Sequence, residues 1–194
     1  FYSLNPPPSS DHPEGFERIC ERLTVLSALR ELNHCEKLDH RILIATTFEA
    51  LLGQCPLYEQ IEKTEYVLTK NSSVSYEKLC NDLGNLFDYS SEVVCEEPGQ
   101  FSVRGGLIDV YPVNLDYPVR LDFFGDEIEE IRTFDPGSQR STGTVDFVRI
   151  LSISSNNSLE RRGEFFKYLP SSVFWVLQEP NNLLHTSPLA FHET

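Results

Sequence analysis

The run Val119–Phe124 places an arginine, a carboxylate and an aromatic ring at alternate positions. Side chains in a strand point to opposite faces in turn, so Arg120, Asp122 and Phe124 would share one face and the apolar residues between them the other. An aromatic ring beside an arginine is enriched at protein–protein interfaces, where removing such an anchor costs about 2 kcal/mol or more. The alternative is structural, with Arg120 and Asp122 paired across strands and a neighbouring lobe covering Phe124. Spacing alone supports both interpretations equally.

Several carboxylates crowd into the same region, which raises the question of acid–base or metal chemistry. They are Asp122, Asp126, Glu127, Glu129 and Glu130. Their spacing lacks the register of an EF-hand loop, and two of them lie in a predicted hairpin turn. Solvated surface charge, or pairing with Arg120 and Arg132 across the hairpin, is therefore the favoured interpretation.

Neither nucleotide hydrolysis nor covalent catalysis is indicated by the motifs present. A phosphate-binding GxxxxGK[ST] loop is absent from the sequence, so these residues alone could not hydrolyse ATP. The run Arg104-Gly105-Gly106 resembles an anion-binding nest, but a predicted strand follows it, and a turn that displays Arg104 is the favoured role. The histidines are scattered and form neither a metal set nor a triad. The sequence therefore predicts no catalytic residue, no metal site and no bound cofactor.

Turns and alternating strands would position the charged residues within the stretch Gln100–Arg140. Gly125-Asp126 falls where a two-residue turn would reverse the chain, and the run after it would return beside the first strand. Ile128 and Ile131 cannot both face the core in a regular strand. A β-bulge near Glu129-Glu130 would reconcile them, because a bulge inserts one extra residue into one strand of a pair.

The first third of the chain has the pattern of an α/β unit. Apolar residues at helical spacing over 16–32 predict an amphipathic helix. Arg41–Ala45 is a short apolar run, as expected of a strand covered on both faces. Thr46 with Glu49 fits a capping box for a helix that ends at Gly53. Helix, strand and helix in this order favour an α/β fold.

Six further elements are predicted after this unit. They are a strand at Tyr66–Thr69, a helix capped by Ser75 with Leu79, Leu83 and Leu86 facing inward, strands beginning at Val93 and at Val145, a helix near Glu160–Leu169 and a strand at Val173–Leu177.

Composition describes a folded, acidic chain of 194 residues with a net charge of −14 and a pI near 4.7. A polyanion must be met by clustered Lys and Arg, so direct binding of nucleic acid is not expected.

Five separated cysteines without a CxxC pair predict reduced, mostly buried thiols in a cytoplasmic protein. No signal peptide or run of 18 apolar residues is present, so no membrane contact is expected. Because no Met begins the chain, we expect a segment of a longer protein.

Two long motifs carry a family resemblance. The runs GQFSVRGGLIDVYP (99–112) and YPVRLDFFGDEIEEIRTFD (117–135) resemble the module shared by the excision-repair protein UvrB and the transcription-repair coupling factors, the Mfd family. The runs ERLTVLSAL, RILIATTFEALLGQCP and YLPSSVFWVLQEP around them are similar to the coupling-factor version. The resemblance therefore spans most of the chain.

This resemblance implies an architecture. The fold class it implies is α/β, a degenerate helicase-like (RecA/Rossmann-like) lobe with an inserted α+β UvrB-type interaction domain. Residues 1–65 would form the first part of the degenerate lobe, 66–151 the UvrA-binding domain and 152–194 the return segment of the lobe. A degenerate lobe of this family does not hydrolyse ATP, which agrees with the missing phosphate-binding loop.

The resemblance also implies a function and its residues. In the family, two arginines and an aromatic on an exposed sheet face bind UvrA, and by motif they fall on Arg104, Arg120 and Phe124, with Asp122 and Arg132 as supporting residues. The chain would recruit UvrA in transcription-coupled nucleotide excision repair. Other domains of the parent would bind RNA polymerase and run a motor on ATP and Mg²⁺, and its C-terminal domain would mask the UvrA face by an intramolecular contact.

Two other interpretations stay open. The chain could instead belong to an ATP-dependent DNA-repair helicase of UvrB type whose motor residues lie elsewhere. ATP hydrolysis or nucleotide binding by the chain itself would favour that interpretation. The third is a purely structural domain, which would bind neither partner nor nucleotide.

Overall fold

A sheet-rich α/β arrangement is seen in the computed structural model, which describes residues 1–6, 13–34, 41–53, 55–61, 65–153 and 162–178. The elements in chain order are β1 (Tyr2–Leu4), α1 (Pro13–His34), β2 (Ile44–Thr46), α2 (Phe48–Leu52), β3 (Cys55–Pro56), α3 (Tyr58–Ile61), β4 (Glu65–Thr69), α4 (Tyr76–Asn85), β5 (Ser90–Ser91), β6 (Gln100–Arg104), β7 (Leu107–Val110), β8 (Val119–Phe124), β9 (Glu127–Phe134), β10 (Ser141–Thr144), β11 (Phe147–Leu151), β12 (Arg162–Gly163) and a 3-10 helix (Phe165–Tyr168).

A six-stranded sheet holds the stretch that the sequence singles out. Its strand order is β10-β9-β8-β7-β6-β5, antiparallel except for the short β5–β6 pair. Two-residue turns join β6 to β7 and β8 to β9, and each begins with a glycine at positive φ, +60° at Gly105 and +62° at Gly125. Such a conformation strains any residue with a Cβ, which is why both turns need glycine. The predicted hairpin at Gly125-Asp126 is confirmed.

The register between β8 and β9 contains the predicted bulge. Pairing passes from Asp122 opposite Glu130 to Phe123 opposite Ile128, which leaves Glu129 as the extra residue. Both isoleucines of β9 are fully buried as a result. The bulge prediction is confirmed, and it explains how β9 keeps one apolar face despite its irregular spacing.

Helix α4 packs the core face of this sheet. Ser75 caps it, as predicted, by accepting a hydrogen bond on its hydroxyl from the backbone three residues on. Leu79 and Leu83 are fully buried, as predicted, but Leu86 is half-exposed. The prediction for Leu86 is wrong because the helix ends at the preceding residue, and the chain turns Phe87 inward instead.

Helix α1 is tied to the β4–β11 ribbon by ion pairs. The predicted helix over 16–32 is confirmed, and so are the strand at 66–69 and the centre of the strand beginning at Val145, which is β11. Arg30 of α1 and Arg149 of β11 both bind the carboxylate of Glu65, at 2.8 and 3.1 Å. One continuous apolar core joins α1, α4, the ribbon and the large sheet.

Strand β2 differs from its prediction. It lies at Ile44–Thr46 and pairs in parallel with β1, and Ala45 and Thr46 are exposed rather than covered on both faces. Thr47, not Thr46, caps α2, since its hydroxyl accepts a hydrogen bond from the Ala50 N–H at 3.2 Å. Thr46 lies one residue too early to cap α2: it is the last residue of β2, and its hydroxyl donates to the Leu4 carbonyl across the two strands.

The predicted strand at Val93 is wrong. Val93 is exposed, and the sheet edge is instead formed by Ser90–Ser91. The side-chain oxygen of Gln100 accepts hydrogen bonds from the backbone N–H groups of Glu96 and Glu97, both at 3.0 Å. These bonds hold the segment before β6 in a tight loop, which keeps it off the sheet edge.

Two predictions near the C-terminal end also fail. The helix near Glu160–Leu169 is replaced by β12, which pairs with β3, and by the 3-10 helix; Glu160 itself lies outside the described residues. Strand pairing extends the backbone at 162–163, which rules out a helix there. Residues 173–177 form no strand and their apolar side chains are exposed, because no strand in the described ranges pairs with them. Residues 179–194 lie outside the described residues.

A polar cluster on the surface ties α4 to β4. Lys78 donates to the Asp82 carboxylate at 2.6 Å and to the Tyr66 hydroxyl at 2.8 Å, and Tyr66 donates to Asp82. The hydrogen bond from Lys78 lowers the pKa of Asp82 below its usual value and raises the pKa of Lys78 above its own.

We expect Leu83→Ala to lower the free energy of unfolding by about 2–5 kcal/mol, because it leaves a cavity between α4 and the sheet. Chemical denaturation followed by circular dichroism measures this loss. Leu86→Ala is the matched control and should cost no more than about 1 kcal/mol, since Leu86 is half-exposed. Equal losses in the two variants would contradict the packing described for α4.

We expect Asp82→Asn to lower the melting temperature at neutral pH, with a difference from wild type that shrinks in acid. A carboxyl whose folded pKa is depressed stabilises the fold above its unfolded value of 3.8 and stops doing so as the pH falls through its folded pKa. Melting curves at pH 7 and below pH 3.8 test the sign. Asp146→Asn, at an exposed position, is the control; a pH-independent deficit for Asp82→Asn would contradict the ionic origin.

Candidate interaction face

The side of the six-stranded sheet turned away from α4 presents a row of polar and aromatic groups, here called the outer face. Its central members are Arg104 on β6, Leu107 and Asp109 on β7, Arg120, Asp122 and Phe124 on β8, and Glu130 and Arg132 on β9. They share one face because the antiparallel register sets them directly opposite one another across four neighbouring strands. The predicted alternation of β8 is confirmed by the burial of Val119, Leu121 and Phe123 on the core face.

Asp109 is the centre of the outer face. Its side chain is 1% exposed, and its carboxylate accepts three hydrogen bonds. Arg120 donates through Nε at 2.6 Å and through Nη2 at 2.8 Å, and Arg104 donates through Nη2 at 2.5 Å. A bidentate arginine on a carboxylate is among the strongest and most directional of side-chain pairs. One carboxylate therefore fixes the positions of both arginines.

The guanidinium of Arg120 contacts two further groups besides Asp109. Its guanidinium carbon lies 4.8 Å from the centre of the Phe134 ring, and Nη1 points to the Gln139 carbonyl at 3.5 Å. The hydrogen bonds to Asp109 raise the pKa of Arg120 above its usual value, so its charge is permanent. Its side chain is 13% exposed, against 48% for Arg104. Of the two arginines, Arg104 is thus the one that reaches solvent.

Phe124 lies at the end of β8, beside the Gly125 turn, and is 75% exposed. Its partner across the hairpin is Glu127, which is also exposed. The structural alternative, in which a neighbouring lobe covers this ring, is therefore wrong for the described part of the chain. An exposed phenylalanine on a rigid strand is a ready anchor for a partner with an apolar pocket.

The remaining charges of the outer face pair as the sequence predicts, with one exception. Arg132 contacts Asp122 at 3.0 Å and Glu130 at 3.4 Å, so pairing of the crowded carboxylates with Arg132 is confirmed. Pairing of Arg120 with this group is wrong, because the residue directly opposite it on β7 is Asp109. Alternation in the run Leu107–Val110 would have placed Asp109 on the outer face, but its sequence gives no sign of its burial.

The three residues singled out by resemblance lie on the same face but differ in their surroundings. Arg104 and Arg120 meet on Asp109, whereas Phe124 stands four positions further along β8, about 13 Å away at the rise of a strand. The trio therefore forms an elongated face rather than a pocket. Such a shape suits docking against another protein and not enclosure of a small molecule.

Tyr76, the first residue of α4, locks the two turns that flank the outer face. Its hydroxyl donates to the Gly105 carbonyl at 2.6 Å, and its backbone N–H donates to the Asp126 carboxylate at 2.9 Å. The turn at Gly106 also lies tight against β8, since a Cβ there would sit 2.8 Å from the Phe123 carbonyl oxygen. Arg104 and Phe124 thus lie next to turns that are fixed by contacts with α4 and β8.

No alternative chemistry emerges elsewhere in the described ranges. They hold no group of three or more His, Cys, Asp or Glu that could bind a metal ion. No helix among them has the length and apolar character needed to cross a bilayer. The four described cysteines are free thiols, as predicted, and burial raises the pKa of Cys20 and Cys95 to about 12 and that of Cys55 to about 11. Cys35 lies outside the described residues.

Comparison with protein families places the outer face in a known domain type. Residues 67–155 match the model of the family described as "UvrB interaction domain". Residues 67–155 are therefore similar to the UvrB interaction domain, and this name is used for them below. This domain contains β5–β11 and α4 complete, most of β4, and every member of the outer face.

Curated relatives extend the similarity beyond the UvrB interaction domain. The transcription-repair-coupling factor of Haemophilus influenzae is 31% identical over 142 residues, 73% of this chain and 12% of the relative. That of Escherichia coli K12 is 26% identical over 160 residues, 82% of this chain and 14% of the relative. That of Myxococcus xanthus is 54% identical over 57 residues, 29% of this chain and 5% of the relative. The chain spans only a small part of the length of these relatives.

We expect Gly106→Ala to lower the free energy of unfolding of the UvrB interaction domain by about 1–3 kcal/mol, because the new Cβ would press on the backbone of β8. Urea denaturation measures the loss. Gly137→Ala is the control, since a Cβ there would meet only the Asp135 side chain at 3.8 Å. A loss no larger than that of the control would show that the turn does not need to lie against β8.

Proposed function

We propose that this chain recruits UvrA, as part of a transcription-repair-coupling factor that acts in nucleotide excision repair. The UvrB interaction domain and the similarity to transcription-repair-coupling factors support a role in transcription-coupled repair. The observation that carries the proposal is the exposed ring of Phe124 on the same rigid face as the arginine pair on Asp109.

Phe124 would be the anchor of the complex. Interface energy concentrates in a few aromatic and arginine side chains that a partner desolvates, while the surrounding contacts contribute little. Phe124 exposes most of its ring in the free chain, so its transfer into an apolar pocket of UvrA would remove a large apolar area from water. Its position on a strand end, rather than on a free loop, keeps the ordering cost of binding low.

The two arginines would have different roles. Arg104 is half-exposed and offers its guanidinium to the partner, whereas Arg120 is largely enclosed and holds Asp109 in place. Asp122 and Arg132, which pair with each other at 3.0 Å on the same face, would form part of the polar rim.

The rest of the coupling factor would supply the other activities. We propose that residues outside the UvrB interaction domain belong to a degenerate helicase-like lobe that neither binds ATP nor catalyses a reaction. RNA polymerase would bind other domains of the cytoplasmic parent protein, where the motor uses ATP and Mg²⁺. The C-terminal domain of the parent would cover the outer face by an intramolecular contact until UvrA is needed.

Phe124→Ala should weaken binding of UvrA about 30-fold, which corresponds to about 2 kcal/mol lost with a buried aromatic anchor. Arg104→Ala should weaken it about fivefold or more. Isothermal titration calorimetry of the purified chain against UvrA measures both. Phe147→Ala and Arg41→Ala are matched controls, because they remove an exposed ring and an exposed guanidinium that lie off the outer face.

Unchanged affinity in Phe124→Ala, or no binding of UvrA by the wild-type chain, would remove the proposal. ATP hydrolysis by the chain alone would favour the helicase alternative instead. Arg120→Ala is a poor probe by itself, since it leaves the buried Asp109 carboxylate without its bidentate partner and destabilises the sheet. Its melting temperature must therefore be measured beside its affinity.

A further inference from the structure

Asp109 touches no partner in the function proposed above, yet its carboxylate organises the outer face. The carboxylate is buried, and it accepts the hydrogen bond from the Arg104 guanidinium together with the two shortest of the three from the Arg120 guanidinium. A buried ion pair is weak evidence for stability, because well-packed apolar residues often serve as well. The arrangement is better explained by the orientation that Asp109 imposes on the two guanidinium groups than by a contribution to stability.

The charges of the outer face are unevenly distributed. Two guanidiniums share the Asp109 carboxylate, whereas Arg132 is itself shared by two carboxylates, Asp122 at 3.0 Å and Glu130 at 3.4 Å. The Cys95 thiol beside the cluster is neutral, since burial raises its pKa to about 12. The three arginines and three acids of the outer face balance in number, but the excess of positive charge lies beside Asp109 and the excess of negative charge beside Arg132, on a chain whose net charge is −14.

The positive charge beside Asp109 is directed outward through Arg104. Only Nη2 of this guanidinium contacts Asp109, and the side chain is 48% exposed, so the guanidinium can donate further hydrogen bonds to a partner. A guanidinium already fixed by one carboxylate can accept a second one in a defined direction, which suits recognition of an acidic side chain. Phe124 lies on the same face and marks where an apolar contact would accompany it.

We propose that Asp109 is a positioning residue of the outer face: it presets Arg104 and Arg120 so that an acidic side chain of UvrA completes the cluster. The inference rests on the proposed function for the identity of the partner. The presetting itself is a property of the free chain. Fixing long side chains before the encounter removes an ordering cost from binding.

Asp109→Asn separates geometry from charge. The substitution raises the net charge of the cluster by one, so charge alone would make an acidic partner bind at least as tightly. If Asp109 positions the arginines, the substitution should instead weaken binding of the acidic partner, because an amide offers the two arginines one acceptor oxygen in place of two. We expect UvrA affinity to fall about tenfold, against no change in Asp146→Asn, which makes the same chemical change at an exposed site.

A double-mutant cycle shows whether Asp109 acts through Arg104. If it does, Asp109→Asn should weaken binding much less in an Arg104→Ala background than in the wild-type chain. If the role of Asp109 were merely structural, Asp109→Asn would lower the melting temperature. It would then weaken UvrA binding by the same factor in the Arg104→Ala background as in the wild-type chain. Arginine Nε–Hε signals in nitrogen-15 NMR spectra of the free chain report the presetting directly, and the Arg120 signal should lose its protection from exchange in Asp109→Asn.

Arg104→Lys keeps the test decisive if Asp109→Asn does not fold. Arg104 is half-exposed, so the lysine variant should fold and keep the charge while losing the planar fork. We expect about fivefold weaker binding. Two outcomes overturn the inference: wild-type affinity in Arg104→Lys, and unchanged or tighter binding in Asp109→Asn. The proposed function remains intact in both cases if Phe124→Ala still weakens binding.

If the wild-type chain does not bind UvrA, the proposed function and the acidic ligand both fail. The NMR signals alone then show whether Asp109 fixes the arginines in the free chain.

Discussion

The outer face depends on one buried carboxylate. Asp109 lies between two arginines on neighbouring strands, and its burial would be unfavourable without them. A register of β6, β7 and β8 that moved Arg104 and Arg120 away from Asp109 would leave a buried charge unpaired, so the ion pairs disfavour it. The interaction thus favours one arrangement of the sheet and, with it, one arrangement of the exposed guanidinium.

Local features of the sequence were enough to predict the scaffold of this face. Three predictions rested on residues that are close in the chain, and local geometry was enough for each of them. They are the alternation over Val119–Phe124, the turn at Gly125 and the bulge that lets both Ile128 and Ile131 face the core. The cap at Ser75 belongs to the same class, since a helix N-terminus is set by its own next few residues.

Pairings between distant residues could not be predicted in this way. Asp109 is the partner of Arg120 because β7 and β8 run antiparallel in one register, and spacing does not reveal burial. The segment at Val93 is apolar enough for a strand, but side-chain hydrogen bonds of Gln100 shape it into a loop. Whether an apolar run such as 173–177 becomes a strand depends on a neighbouring strand, which lies outside the run itself.

The charge of the whole chain and the charge of the outer face have different consequences. A net charge of −14 repels polyanions at long range. The second guanidinium beside Asp109, which is balanced by the two acids around Arg132, acts only within about a Debye length, some 8 Å at physiological salt. An acidic partner would therefore gain little attraction before contact, and the cluster would act after docking, by fixing orientation. The exposed ring of Phe124, whose apolar contribution is insensitive to this repulsion, would then supply most of the affinity.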